Sequence, residues 1–188
     1  MRIKNTDIDG VKILDPGRHF DERGWLTELW NVAGLEAEGF RASFVQDIVT
    51  FSSRPGTVHG MHFQLPPHDQ GKLVICISGS IFDVVLDIRE RSPTFGKHVG
   101  LKLCGEDPRQ CWVPSGFAHG YCTLEPDTRV LYKLTAPYEP LSVGGVLWND
   151  VSLGIDWPIN VGAAVVNVRD QGWPCLNDIQ SPFRWDGP

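Results

Sequence analysis

Lys72-Leu73-Val74-Ile75-Cys76-Ile77-Ser78, then Gly79-Ser80, then Ile81-Phe82-Asp83-Val84-Val85-Leu86-Asp87-Ile88-Arg89 is the stretch that decides the fold class. Two β-rich runs flank a Gly-containing pair, the pattern of a hairpin with a two-residue turn. In the second run Ile81, Asp83, Val85, Asp87 and Arg89 share one face, while Phe82, Val84, Leu86 and Ile88 share the other. One face is wholly apolar; the other carries charge toward solvent or a cleft.

Outward from this unit the same texture continues. Short β-rich runs cover 43–51, 57–64, 97–103, 110–113, 118–124 and 128–135, separated by turn signals such as Pro66-Pro67, Ser92-Pro93 and Pro114-Ser115-Gly116. Short strands at regular spacing predict an antiparallel sandwich or barrel. Before them, Val11-Lys12-Ile13-Leu14 reads as a first strand or arm, and an aromatic-rich strand follows a bend at Gly24. Asn31–Phe40 is a short helix candidate bounded by Gly39. After Tyr138 the chain turns irregular, with Trp148, Trp157, Trp173 and Trp185 among Gly and Pro, a tail expected to wrap the β core.

A chain of 188 residues, 41% hydrophobic, suits one domain spanning 1–188. The first residues lack the apolar stretch of a signal peptide, and no run of about 18 apolar residues occurs. A cytoplasmic protein with no membrane association is therefore expected. The five cysteines form no CxxC pair and read as reduced thiols. A net charge of -6 leaves no basic footprint for nucleic acid.

Thr57-Val58-His59-Gly60-Met61-His62-Phe63-Gln64 places two imidazoles among apolar residues. Strict alternation sets positions 59 and 62 on opposite faces, so both reach one cavity only through a bulge, for which Gly60 is the obvious place. Pro114-Ser115-Gly116-Phe117-Ala118-His119-Gly120 delivers a third histidine. Each has a structural alternative: a packed histidine, a solvated strand-end Lys72, core tyrosines at 132 and 138. Three imidazoles also suggest a metal, but Lys72 falls where a ligand would be needed, and an ammonium offers no lone pair.

Several motifs in order carry a resemblance that runs from about Gly10 to Asp170. They include Phe20-Asp21-x-Arg23-Gly24 with Glu28, Gln46-Asp47, Gly60-Met61-His62-Phe63-Gln64, Gln70-Gly71-Lys72-Leu73-Val74, Ser92-Pro93-Thr94-Phe95-Gly96, Pro114-x-Gly116-Phe117-Ala118-His119-Gly120, Tyr132-Lys133, Trp148-Asn149-Asp150 and Arg169-Asp170. The chain resembles the dTDP-4-dehydrorhamnose 3,5-epimerase family, metal-free cupins of deoxysugar and cell-surface polysaccharide biosynthesis. The resemblance implies an all-β, cupin-type double-stranded antiparallel jelly roll with an N-terminal strand arm and a few short helices. It also implies no cofactor, no metal, a nucleotide-sugar substrate and a homodimer in which the partner's N-terminal segment completes each site.

Carried over by position, His62 is the base that removes a proton next to the C4 ketone. Asp170 orients it, Lys72 meets the enolate oxygen, and Tyr132 returns a proton from the other face. Arg23, Glu28, Gln46, His119 and Tyr138 match substrate contacts; Arg89 is open between a contact and a structural ion pair. Two positions depart: His59 stands where the family has Arg, and Ile48 where it has Asn. His59 is therefore the candidate substrate contact to examine first. The implied activity is an isomerase inverting C3 and C5 of a 4-keto-6-deoxy sugar. A single-centre 3- or 5-epimerase acting on another nucleotide sugar, a 3,4-ketoisomerase and a non-catalytic carbohydrate-binding cupin are the alternatives.

Overall fold

The structure is a computed structural model describing residues 1–187, in which the β-rich runs become two facing sheets. The N-terminal arm supplies β1 (Arg2–Asn5) and β2 (Lys12–Asp15), then a small hairpin of β3 (His19–Asp21) and β4 (Gly24–Leu26), then α1 (Val32–Ala37). The body follows as β5 (Gln46–Ser52), β6 (Thr57–Gln64), β7 (Lys72–Ser78), β8 (Ser80–Asp87), β9 (His98–Cys104), β10 (Gln110–Val113), β11 (Phe117–Thr123) and β12 (Thr128–Leu134). The tail adds β13 (Val143–Gly145), β14 (Val165–Val166) and α2 (Val168–Gln171). One sheet runs β1-β2-β10-β7-β12-β5; the other runs β13-β6-β11-β8-β9, with β14 against β6. All main pairings are antiparallel, and two sheets exchanging successive strands make the expected jelly roll.

The expected hairpin at Gly79 does not form. β7 pairs with β10 and β12, whereas β8 pairs with β11 and β9, so the chain changes sheets between them. Only Gly79 lies between the two strands, too short a link to close a two-residue turn. Its φ of +73° makes a corner instead, packed so closely on Thr128 that a side chain has no room. The burial pattern agrees: Leu73, Val74, Ile75, Val84, Val85 and Leu86 are all buried, so both strands are covered on both faces.

Three apolar layers result. Between the sheets pack Val74, Cys76, Ile81, Val85, Cys111, Tyr121 and Val130. The tail covers the outside of the second sheet, with Trp148 and Trp157 against Met61, Val84 and Leu86. Leu35 of α1 and Phe40 cover part of the first sheet over Leu73 and Ile75, joined by an edge-to-face cluster of Trp30, Phe44 and Trp112. The helix begins where Asn31 accepts a hydrogen bond from the Gly34 N–H. The rest of that outer face stays uncovered: Val45, Val49, Phe51 and Ile77 are 60%, 56%, 54% and 46% exposed.

The bulge expected at Gly60 is present. His62 pairs with His119 and His59 with Tyr121, so three steps on β6 match two on β11. Gly60 takes a φ of +126°, and a Cβ there would sit 2.5 Å from Gly120 Cα. Backbone-to-backbone contact at that distance cannot relax by turning a side chain. Gly60→Ala is therefore expected to lose about 3 kcal/mol or more in denaturant unfolding; a loss under about 1 kcal/mol would mean that β6 tolerates a different register.

Candidate active site

The bulge turns both His59 and His62 into a cavity of about 210 Å³ between the sheets. His62 and His119 reach it from the second sheet; Ile48, Thr50, Lys72 and Tyr132 reach it from the first. Its volume is below the roughly 300–1,000 Å³ usual for a whole ligand of drug size, which suits one sugar ring better than a complete nucleotide sugar. A larger space, about 600 Å³, opens beside α1 on the outer face of the first sheet, but its lining offers no comparable acid–base set.

His62 is held by the tail. Its Nε2 lies 2.6 Å from Asp170 Oδ1, while Asp170 Oδ2 accepts the Gly60 N–H at 3.1 Å. Asp170 is fully buried in α2, a helix started by Asn167, whose side chain accepts the Asp170 N–H at 2.8 Å. Burial alone would raise the Asp170 carboxyl. Hydrogen bonds from His62 and Gly60, with the Arg169 charge, outweigh that and hold it below the usual carboxylate range. An ionised carboxylate only accepts, so His62 Nε2 carries the proton and Nδ1 keeps its lone pair. Burial also pushes the His62 imidazole down, aided by Lys72 and Arg169, and Asp170 only partly offsets this. The ring is thus a neutral base beside a fixed anion.

Lys72 opens β7 on the inward face, its Nζ donating to the His62 carbonyl at 3.1 Å. Burial lowers its ammonium to about 8, with Asp83 opposing. At pH 7 it remains mainly protonated, so the cavity contains a partly desolvated cation. Tyr132 sits edge-on to the His119 ring, centroids 5.9 Å apart, and burial pushes its phenol well above the ordinary value. It stays protonated on the sheet opposite His62.

His119 is 3% exposed and pairs through Nε2 with Asp83 Oδ1 at 2.7 Å. His59 stacks on Tyr121 at 4.9 Å and places Nε2 3.1 Å from Ser52 Oγ. Each of the three histidines thus has Nε2 engaged by a different partner, and among the described residues no cluster of three or more His, Cys, Asp or Glu is arranged around a metal. Gln46 acts at one remove, accepting the Tyr138 N–H at 2.7 Å and so placing Tyr138 at the cavity mouth beside Arg169.

Two sequence-predicted residues are not brought to this cavity. Arg23 pairs with Asp21 at 2.5 Å on the exposed β3–β4 hairpin, and Glu28 accepts from Asn31 Nδ2 at 3.0 Å. Arg89 is a structural ion pair, bonded to Asp87 and lying over the Phe117 and Trp185 rings. Conversely, sequence reasoning assigned no role to Asp83, Tyr121 or Arg169. The signal for Asp83 was its place on the charged face of β8, which is the barrel interior: Asp83 and Asp87 are both fully buried.

Fold and site together define a cupin-type barrel equipped for acid–base chemistry, with a neutral imidazole–carboxylate pair facing an ammonium and a phenol. The family model described as dTDP-4-dehydrorhamnose 3,5-epimerase matches residues 5–178, and the chain belongs to that family. The dTDP-4-dehydrorhamnose 3,5-epimerase of Salmonella typhimurium is 45% identical over 178 residues, covering 94% of this chain and 96% of that protein. The crystal structure of dTDP-6-deoxy-D-glucose-3,5-epimerase from Legionella pneumophila in complex with dTDP-4-keto-L-rhamnose is similar at a TM-score of 0.92 and 39% identity, covering 99% of both chains. A 3'-monoepimerase from Streptomyces bikiniensis in complex with dTDP-quinovose is similar at 0.85 and 29% identity, covering 92% of this chain and 86% of that one.

His62 is expected to titrate below the ordinary imidazole value of about 6.5 in ring NMR. In Asp170→Asn the one influence that raises it is lost, so the value should fall further. A native value above the ordinary one, or a rise in the variant, would contradict the balance of burial and charge described for this ring.

Proposed function

We propose that this chain epimerises a dTDP-linked 4-keto-6-deoxy sugar at C3 and C5, by proton abstraction and return next to the C4 ketone. The observation that carries this reading is the placement of an imidazole–carboxylate pair on one sheet against an ammonium and a protonated phenol on the other. The ketone acidifies the neighbouring C–H bonds. His62 removes the proton and becomes a cation against Asp170. The negative charge that develops on the ketone oxygen is met by Lys72, in a site dry enough for that attraction to contribute a few kcal/mol. Tyr132 delivers a proton to the carbon from the opposite side, which inverts the centre. No step needs a cofactor.

Arg23 and Glu28 fit this reading as contacts made across a homodimer. Their motif is intact in the chain, yet the hairpin that carries Arg23 stands exposed, with Phe20 74% and Leu26 65% exposed. The uncovered row of Val45, Val49, Phe51 and Ile77 is an apolar face suited to a second copy. The compartment on this reading is the cytoplasm, where nucleotide sugars are supplied. One observation favours a second reading, inversion at a single centre. The likeness to the Streptomyces monoepimerase coincides with an altered cavity wall, in which Ile48 offers no hydrogen bond.

Incubation with dTDP-4-keto-6-deoxyglucose in heavy water should place deuterium at C3 and C5, and His62→Ala and Asp170→Asn should each slow this by about 100-fold or more. Deuterium at one carbon only would select the single-centre reading; none at either would leave a binding protein. Mixing inactive Arg23→Ala and His62→Ala chains tests the dimer. Recovery of about a quarter of native activity is expected, because half the chains in a random mixture are in hybrids and one of each hybrid's two sites is intact. No recovery after subunit exchange would place Arg23 outside the partner's site.

A further inference from the structure

A phenol that has given its proton to carbon is left as a phenolate, and Tyr132 is poorly placed to recover from that state. It is partly buried, its accessible side lines the central cavity, and a substrate seated there covers it. Beside it lies a row of polar side chains that the proposed chemistry does not use. The Tyr121 ring is 6.4 Å from the Tyr132 ring, and its hydroxyl is hydrogen-bonded to Thr50 Oγ at 2.9 Å, with the Tyr132 and Ser52 hydroxyls as its next neighbours. Ser52 Oγ is 3.1 Å from His59 Nε2. His59 in turn is the wall between two spaces: it lines the central cavity and also a surface cavity of about 400 Å³ whose rim includes Arg54, Thr57 and Val165.

We propose that Tyr121, Ser52 and His59 form a proton relay that recharges Tyr132 from solvent after each inversion. The inference rests on the epimerase reading and assigns work to three residues outside its acid–base set. When the new C–H bond forms, the Tyr132 O–H bond breaks. The Tyr121 hydroxyl then turns from Thr50 to protonate the Tyr132 phenolate, Ser52 O–H turns to protonate Tyr121, and His59 Nε2–H protonates Ser52. As Nε2 gives up its proton, Nδ1 takes one from water in the outer cavity, so the ring stays neutral and returns to its first tautomer by exchange; the hydroxide left in solvent is neutralised by the proton that His62 releases. His62 meanwhile releases the proton taken from substrate, so the site returns to its starting state with no net gain or loss.

Two features make the row a conductor rather than mere packing. Every member offers both a donor and an acceptor, the requirement for passing a proton along a chain. Burial also keeps both phenols protonated, Tyr121 at about 12 and Tyr132 well above the ordinary value, so a phenolate at either position takes a proton from its neighbour rather than persisting. The stack of His59 on Tyr121 at an interplanar angle of 21° fixes the outer end of the row.

The test separates the first inversion from later ones. Tyr121→Phe and Ser52→Ala, confirmed as folded by circular dichroism, are compared with native enzyme by rapid quench with enzyme in excess and then with substrate in excess. Tyr132 starts protonated, so the first inversion should stay within about twofold of native, while steady-state turnover falls about tenfold or more, leaving a burst of one inverted centre per site. In His59→Ala, added imidazole should restore steady-state turnover. Equal loss in both phases, no loss in either, or no rescue by imidazole overturns the relay while leaving the epimerase reading in place. Inert native protein would instead overturn that reading, and the relay with it.

Discussion

One carboxylate ties the site together. Asp170 gives one oxygen to His62 and the other to the Gly60 N–H, so the same buried group grips the base and the bulge that aims it. Each is a charge-assisted hydrogen bond, of the class worth about 1.5–3 kcal/mol, made to a carboxylate that is itself fully buried. The partners are far apart in sequence: β6 belongs to the barrel, whereas Asp170 arrives on a helix of one turn near the end of the chain. The tail could not be a loose wrapping. Its tryptophans pack on Met61, Val84 and Leu86, anchoring the segment whose end must deliver a carboxylate with little positional error.

Most strands were legible because their signals are local. Alternation and turn residues placed β6, β7 and β10 at their observed bounds and the others within about three residues. The partner of each strand was not legible, and the corner at Gly79 shows why. A glycine at a reversal looks the same whether the chain folds back within one sheet or crosses to another. Only the length of the link and the burial of both faces decide it, and burial is a property of the assembled molecule. The short pieces β1, β3, β13 and β14 were not placed, since two to four residues are too few to show a period.

For the site, the residues read in two tiers. Gly60 could be assigned a bulge from geometry alone, because two histidines three apart can share a cavity in no other way along a strand. The pairing of His62 with Asp170 came from family resemblance, as no spacing rule links residues 108 positions apart. Asp83 shows the converse: its alternation was readable, but not that its charged face turned inward, where His119 and Lys72 await it. Arg23 and Glu28 lie on a segment that a single chain leaves outside. It is the proposed homodimer, and not the single chain, that would give them a place in a cavity.

The charge inventory explains how such a site can be dry and still reactive. At rest the Asp170 carboxylate is set beside the Arg169 guanidinium with the Lys72 ammonium across the cavity, while burial lowers His59 and His62. Asp83 leaves one oxygen without a hydrogen-bond partner, so it stabilises Lys72 as a charge without clamping the ammonium in place. In the proposed reaction, moving a proton from a carbon acid to His62 creates one positive and one negative charge in this space. On that proposal the imidazolium would form at 2.6 Å from Asp170, and a negative oxygen near Lys72 would meet an ammonium already desolvated. The cost of burying these groups is met by the fold before substrate arrives, so the charges of reaction appear beside partners that need not move to receive them.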